Sequence, residues 1–449
     1  MTRKFYIKTF GCQMNEHDSA KMALLLQSQG YAPGEDALAS DIVIFNTCTI
    51  REKAHHKAIS EIGRASQIKR ASPRAVVGVC GCVAQEEGER ILSRFPDVDF
   101  VLGPDQIWRL GEAIACAESG GRCAFVDLID DPDGYRFPGH IPPVTSHESR
   151  VTAFVTAMKG CNCACSYCIV PSVRGREVCR PPGEIVEECR TLADSGTKEV
   201  TLLGQNVTAY SFLNPGSLIP GAESLASLIR RISRETGISR IRFTSPHPRD
   251  ITDGLIGEFA ENERLAPHIH LPAQSGSDGV LRRMRRGYTR ERYLDVARRL
   301  RAARPGISIT TDIIVGFSRE TDEEYRETLD LMREVGFDSA FAFKYSPRPG
   351  TEAARKMEDD VPAGVKERRL DELLALQRSA SRRLNEALVG SEGEVLAAGL
   401  DRMGRGLITG RLPDNRIVHF SGQEELIGSI VRVRITSAND NSLTGEALA

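Results

Sequence analysis

Cys161, Cys165 and Cys168 stand in a C-x3-C-x2-C spacing within eight residues. Three thiolates this close can wrap one face of a cubane iron–sulfur cluster, each on its own iron, and leave the fourth iron without a protein ligand. An open iron can take a small molecule, as catalytic metal sites keep one position free. A structural zinc, with Cys163 or a distant residue as fourth ligand, competes for the same thiols. Zinc motifs, however, ordinarily pair two close-spaced ligand couples.

Three more thiols follow apolar runs. Cys12 comes after the run ending at Phe10 and Gly11, Cys48 ends Asn46-Thr47-Cys48 after Ile42–Phe45, and Cys82 ends Cys80-Gly81-Cys82 after Val76–Val79. If these runs are parallel strands, all three cysteines lie at carboxyl ends and can converge on one edge of a sheet. Convergence again suits a cluster with one open iron. The alternatives are three scattered core cysteines, or Cys80 in place of Cys82, which lies farther beyond its strand. Cys116, Cys123, Cys163, Cys179 and Cys189 show no partner pattern.

Composition sets the context. The 449 residues are 41% hydrophobic and 27% charged, with 59 basic against 61 acidic side chains and twelve cysteines. That length implies two or three domains. The near balance of charge gives no global argument for nucleic acid, so such a site would be a local patch. No run of about 18 apolar residues occurs, and the first ten residues alternate like a strand and do not form a signal peptide. A cytosolic protein is expected, with no membrane partner, whose short-spaced thiols serve metal or redox chemistry, not disulfides.

The elements that would position these thiols fall into three regions. Residues 1–118 alternate short apolar runs with helical stretches, the pattern of an open parallel-sheet α/β domain. Residues 127–147 carry Pro132, Pro138, Pro142 and Pro143 without periodicity and read as a linker. In a domain spanning 147–378, six strand candidates alternate with helices near Ala153–Met158, Glu199–Leu203, Arg240–Thr244, His268–Leu271, Ser308–Ile314 and Ser339–Lys344. Six β/α units fit a partial or full parallel barrel with its site at the strands' carboxyl ends. A polar helix bearing Leu370, Leu373, Leu374, Leu384 and Leu388 follows. Within 381–447, the runs Val395–Ala397, Leu407–Thr409, Ile417–Phe420 and Ile430–Ile435 suggest a small antiparallel barrel of the oligonucleotide-binding sort.

The barrel places further candidates at strand ends: Gly204, Gln205 and Asn206 after the second strand, and Ser245 and His247 after the third. Gln274, Ser275 and Gly276 follow the fourth strand and Gly316 the fifth. Glycines and amides there suit a polar cofactor needing close backbone approach; ordinary turn chemistry explains them equally. His247, between two prolines, could serve a rigid turn or proton transfer.

The C-x3-C-x2-C loop resembles the signature of the radical S-adenosylmethionine superfamily. That resemblance implies S-adenosylmethionine on the open iron and Tyr167 beside its adenine. The whole chain resembles the methylthiotransferase family: a three-cysteine amino-terminal domain, a radical domain and a carboxyl-terminal TRAM domain. Gly11-Cys12-Gln13-Met14-Asn15, Leu203-Gly204-Gln205-Asn206-Val207, Ser245-Pro246-His247-Pro248 and Gln274-Ser275-Gly276-Ser277 match the branch that acts on N6-dimethylallyladenosine in tRNA. So do Thr311-Asp312-Ile313-Ile314-Val315-Gly316-Phe317 and Tyr345-Ser346-Pro347-Arg348-Pro349-Gly350-Thr351. Ser318-Arg319-Glu320, where the family usually has Pro-Gly-Glu, and the extra thiol Cys163 are departures that touch local loops only.

The resemblance implies two 4Fe-4S clusters, one held by each trio, and transfer of a methylthio group to C2 of the adenine beside the anticodon. It also implies an external electron donor and a sulfur source as partners. Related activities on threonylcarbamoyl-adenosine, or on an aspartate of a ribosomal protein, are the alternatives within the family. A non-catalytic, metal-stabilised RNA-binding protein is the alternative outside it. For RNA contact, the basic stretch Leu281–Arg290 reads as the start of a helix continuing through Arg298, Arg299 and Arg301, with a solvated face as its plain alternative. Arg405, Arg411, Arg416, Arg432 and Arg434, with His419 and Phe420, would suit loop RNA on the last domain.

Overall fold

The computed structural model describes residues 2–49, 52–129, 151–213, 222–401, 404 and 406–448. Most of the segment read as a linker therefore lies outside the described residues, as does Arg405. The chain forms two compact units. The first comprises Met1–Pro142, Met158–Cys163 and Cys168–Cys179; the second comprises Pro143–Ala157, Ala164–Tyr167 and Arg180–Ala449.

In the first unit, β1 (Lys4–Thr9), β2 (Ala32–Pro33), β3 (Ile42–Thr47), β4 (Val76–Gly81), β5 (Phe100–Leu102) and β6 (Cys123–Phe125) form one sheet in the order β2-β1-β3-β4-β5-β6. Every pairing is parallel. A parallel strand covered on both faces reads as a continuous apolar run, and every residue of β3 and β4 is buried. Alternation splits the core between the two faces. Val43, Phe45, Val77 and Val79 join one apolar cluster, while Ile42, Ile44, Val76 and Cys80 join the other with Met22, Leu26 and Phe100. The short strands Met158–Lys159 and Val178–Cys179 pair antiparallel on either side of the helix Val170–Arg174.

In the second unit, β7 (Thr152–Thr156), β8 (Glu199–Leu203) and β9 (Arg240–Phe243) form one parallel sheet, and β10 (His268–His270), β11 (Ser308–Val315) and β12 (Ser339–Lys344) a second. A single parallel bridge between Ile241 and Leu265 joins them, so six strands follow one another as an open barrel. The intervening helices are set by local chemistry. Ser224 caps Leu225–Glu235 through the Ser227 N–H, and Thr321 with Glu324 closes a capping box on Asp322–Val335, which satisfies otherwise orphaned donors.

The long helix Ala363–Glu386 leads to β13 (Glu392–Leu400), β14 (Ile408–Arg411), β15 (Ile417–Ser421), β16 (Ile430–Ala438) and β17 (Leu443–Ala447), which close a barrel in the order β13-β14-β15-β17-β16. Two corrections follow. The barrel is not wholly antiparallel, because β15 and β17 run parallel. The strand β17 was not foreseen, since Leu-Thr-Gly-Glu-Ala offers the core little apolar surface. Along β16, Val431, Val433 and Ile435 face inward and Ile430, Arg432 and Arg434 outward, the period-2 pattern of a half-buried strand.

One expected RNA contact is also corrected. Phe420 is fully buried in this core and offers no ring for stacking. Arg432 and Arg434 both pair with Glu392, and Arg416 pairs with Asp338 and Asp414. The stretch 281–301 is two helices, Asp278–Arg283 and Arg290–Ala303, separated by a turn in which Arg285 and Gly287 take positive φ of 56° and 69°. Within it, Arg283 pairs with Glu324, Arg285 with Glu352, Arg290 with Glu334, Arg298 with Glu291 and Arg299 with Asp253. These cations are largely neutralised by carboxylates of the same chain. Among the described residues no helix is long and apolar enough to cross a membrane.

Candidate active site

Strands β1, β3 and β4 are neighbours, so their carboxyl ends deliver Cys12, Cys48 and Cys82 to one edge of the first unit. Cys12 immediately precedes the helix Gln13–Ser28 at its N-cap position and Cys82 opens the helix Cys82–Glu87. The thiols of Cys12 and Cys48 lie within electrostatic reach of Cys82: burial foremost, and then these two neighbours, push the Cys82 thiol up to about 12 against the opposing pull of Arg174. Cys80 is not of this group. It lies within β4 and joins the apolar cluster of Ile42, Ile44, Val76 and Phe100, where burial raises its pKa and Asp18 is its charged neighbour.

The approach of these strand ends requires glycine at two positions. Gly11 and Gly81 take φ of 117° and 89°, in the left-handed half of backbone space that favours glycine. A Cβ on Gly11 would lie 2.4 Å from Cys48 Cβ and 2.9 Å from its Sγ, and one on Gly81 would lie 2.5 Å from both Asn46 Oδ1 and the Thr47 carbonyl. Asn15 ties the ends together: its Nδ2 donates to the carbonyls of Phe10 (2.9 Å) and Thr47 (2.8 Å). Its Oδ1 accepts from Arg174 Nη2 at 2.8 Å and lies 3.7 Å from Cys12 Sγ. Asn46 Nδ2 donates to the Asn15 carbonyl, and Thr47 Oγ1 to that of Cys80. Sequence reading missed the roles of Asn15 and Arg174. Asn15 could have been found as a buried-type amide three residues beyond Cys12; nothing near Arg174 in sequence marks it.

The second trio belongs to the loop after Met158–Lys159. Gly160 turns it at a φ of 74°, where a Cβ would lie 1.8 Å from the Arg176 carbonyl, and the Cys161 N–H donates to the Gly175 carbonyl. Each sulfur accepts one N–H at 3.4 Å: Cys161 from the Cys163 backbone, Cys165 from Arg286 Nη1 and Cys168 from the Val170 backbone. Thiols are weak acceptors, whereas cluster sulfurs routinely take such bonds, which tune their potential. Cys163 lies against Cys161, and their hydrogen bond is the first cause, before burial, of a raised Cys161 pKa. Tyr167 meets Phe317 edge-on at 6.4 Å, and Phe317 meets Tyr345 at 4.7 Å.

Both donor sets fit the clusters that sequence analysis implied: each offers three thiols, Gly11 leaves room beside the Cys48 sulfur, and N–H groups are directed at the sulfurs of Cys161, Cys165 and Cys168. Among the described residues, no three His, Cys, Asp or Glu side chains gather tightly enough to chelate one ion. A zinc would need all its sulfurs about 2.3 Å away, while a four-iron cluster takes its thiolates on separate irons.

At the barrel's strand ends, Ser245 and Gln274 adopt φ of 57° and 67°, conformations that cost a non-glycine residue about 1–3 kcal/mol and concentrate at functional sites. Gln274 is held by backbone bonds to Asp312 and Ile314. Asn206 is a support: its Nδ2 donates to Asp250 and its Oδ1 accepts from Thr208. Gly316 also has an internal reason, because a Cβ there would lie 2.4 Å from Lys366 Cγ. Ser275 and Gly276 dock the helix Asp322–Val335 through Thr328. Gly204 and Gln205 close the β8 end. His247 caps the turn Pro248–Asp250 by accepting from the Arg249 N–H. Burial, with the charge of Arg286 next, lowers its pKa to about 3, so the ring is neutral near pH 7.

Comparison with known proteins agrees with this architecture. Residues 4–103 match the uncharacterized protein family UPF0004, residues 155–332 the radical SAM superfamily and residues 386–448 the TRAM domain. The chain is 48% identical to the tRNA-2-methylthio-N(6)-dimethylallyladenosine synthase of Geobacter sulfurreducens, over 98% of this chain and 96% of that one. It is 46% identical to the enzyme of the same name from Alkalilimnicola ehrlichii, over 100% and 98%. Among solved structures, a radical S-adenosylmethionine methyltransferase from Kitasatospora setae shares the fold, with a TM-score of 0.56, 16% identity and coverage of 79% of this chain and 77% of that one. The superfamily match brings S-adenosylmethionine and one 4Fe-4S cluster as cofactors. With its three domains and near-complete alignment to these enzymes, the chain belongs to the radical S-adenosylmethionine methylthiotransferase family.

Proposed function

We propose that this enzyme transfers a methylthio group to C2 of N6-dimethylallyladenosine next to the anticodon in tRNA, with S-adenosylmethionine and two 4Fe-4S clusters. The observation that carries the reading is the presence of two separate thiol trios in a chain 48% identical along almost its whole length to enzymes named for that product. Cys161, Cys165 and Cys168 hold one cluster, and Cys12, Cys48 and Cys82 the other. When bound, these groups supply a cofactor-derived radical, the sulfur and the methyl group, chemistry beyond any side chain.

The hydrogen on C2 of adenine is too weakly acidic for a side-chain base, whose contribution of about 10²–10⁴-fold needs an activated proton. The protein's own work is therefore placement and exclusion of water. Tyr167, Gly204, Gln205, Ser245 and Gln274 bind S-adenosylmethionine at the barrel mouth, with Asn206 and Gly316 shaping the turns that present them. The domains are 1–118 around the second cluster, 147–378 around the radical site and 381–447 for RNA. The target base leaves its stack to enter. An external electron donor and a sulfur source complete the turnover.

Mass spectrometry of tRNA nucleosides from a deletion strain tests the assignment. The methylthio-dimethylallyl nucleoside should vanish and return with the wild-type chain, but not with Cys161→Ala or Cys82→Ala. Unchanged levels in the deletion strain exclude it, and loss of the threonylcarbamoyl counterpart instead assigns the sister activity. Anaerobic analysis of the reconstituted protein should find about eight irons per chain.

A further inference from the structure

Arg174 ends the short helix Val170–Arg174, six residues past Cys168, and is only 5% exposed. Its guanidinium lies in electrostatic reach of both Cys82 and Cys12, and Asn15 Oδ1, which it engages, is 3.7 Å from Cys12 Sγ. Nη2 also donates to Asn15 Oδ1 at 2.8 Å and stands 2.8 Å from Asp18 Oδ2. Ile169 and Val173 of the same segment pack directly on Cys82. All of these residues belong to the first unit.

A buried cation is costly unless paired. Asp18 supplies one partner, which balances the pair at zero net charge. Yet the guanidinium also reaches Cys82, a group that carries no charge as a thiol. Resting on the reading that Cys12, Cys48 and Cys82 hold a cluster, we infer that Arg174 is the fixed counter-cation of that cluster. Three ligating thiolates outweigh the two positive charges of an oxidised four-iron core, and reduction adds one more negative charge. A guanidinium locked by Asn15 and Asp18 offers its remaining N–H groups to sulfur without reorganising. It acts through a ligand and not on reacting atoms, so it is a positioning residue. The segment Cys168–Arg174 thus gives a ligand to one cluster and a counter-charge to the other.

The test is a dithionite titration followed by electron paramagnetic resonance. It uses the reconstituted full-length chain carrying Cys161→Ala, Cys165→Ala and Cys168→Ala, so that dithionite delivers its electron to the amino-terminal cluster alone. Arg174→Gln should keep about four irons per chain and make reduction at least tenfold less favourable, a shift of about 59 mV to lower potential for one electron. Arg174→Lys should recover most of that shift. Because Arg174→Gln strands the Asp18 carboxylate, the pair is also compared in an Asp18→Asn background, where the protein with Arg174→Gln must again titrate below its parent. Equal potentials in both backgrounds overturn the inference and leave Arg174 as the partner of Asp18. A parent protein that binds no iron overturns instead the reading on which the inference rests.

Discussion

The two thiol trios use the same side chain in opposite ways. Cys161, Cys165 and Cys168 come from one loop, and the N–H groups on two of their sulfurs come from residues two positions away. Cys12, Cys48 and Cys82 come from three strands, and the group that ties them, Asn15, bonds to the backbone of both the first and the second strand end. Closing a short loop costs little chain entropy, so the first trio is nearly a local property. The second exists only if β1, β3 and β4 pair in the observed register.

The largest expected effects separate the trios chemically. Cys161→Ala and Cys82→Ala should each abolish the methylthio product, but only Cys161→Ala should also abolish reductive cleavage of S-adenosylmethionine, read by chromatography of 5′-deoxyadenosine. If Cys82→Ala stops that cleavage as well, the two sites are not independent. Cys80→Ala should retain about eight irons, and a loss of four would return Cys80 to the trio.

Next come the turns. Gly81→Ala combines left-handed strain of about 1–3 kcal/mol with overpacking of similar size, against contacts of 2.5 Å. It should lower Tm and empty the amino-terminal cluster while leaving S-adenosylmethionine cleavage measurable. Gly160→Ala, with its 1.8 Å contact, should do the reverse for the loop trio. Iron content beside a cleavage assay distinguishes the two; equal loss of both clusters in either variant breaks the contrast.

A smaller effect is expected from the supports. Asn15→Ala leaves buried groups without partners, at about 1–3 kcal/mol, and should release iron from the distributed trio. Asn162→Ala, exposed beside Cys161 and bonded to Glu177, should cost no more than about 0.5 kcal/mol in thermal denaturation. Comparable losses would mean that the loop trio needs distant support as much as the sheet trio does.

At the barrel mouth the smallest effect on activity is expected, and the stability change should have the opposite sign. Gln274→Gly relieves a positive φ and should stabilise by about 1 kcal/mol, yet raise KM for S-adenosylmethionine several-fold with kcat little changed. An unaltered KM would remove the Gln274 side chain from the cofactor site.

Periodicity located all six barrel strands and the three long strands of the first unit, because a strand buried on both faces must be apolar along its length. It could not find β17, whose pairing with β15 depends on closure of the small barrel. It also joined two helices into one across residues 284–289, since charge spacing carries no sign of the turn that Gly287 and Arg285 make. The arginines of that stretch looked free because their carboxylate partners lie far along the chain: Glu324 for Arg283 and Glu352 for Arg285.

The sequence alone determined the loop trio, the barrel's order and the family, for each is written in neighbouring residues: spacing, alternation and short strings. Tertiary structure set Cys82 beside Cys12 and Cys48 and Cys80 apart from them. Alternation along a strand would give residues two apart the same side, but Cys80 still lies in β4 and packs into the core, while Gly81, at a φ of 89°, turns the chain so that Cys82 opens the next helix. Tertiary structure alone also brought Arg174 to Cys82. A buried cation is positioned by charges that the fold assembles from distant segments, and no spacing rule along the chain records that assembly.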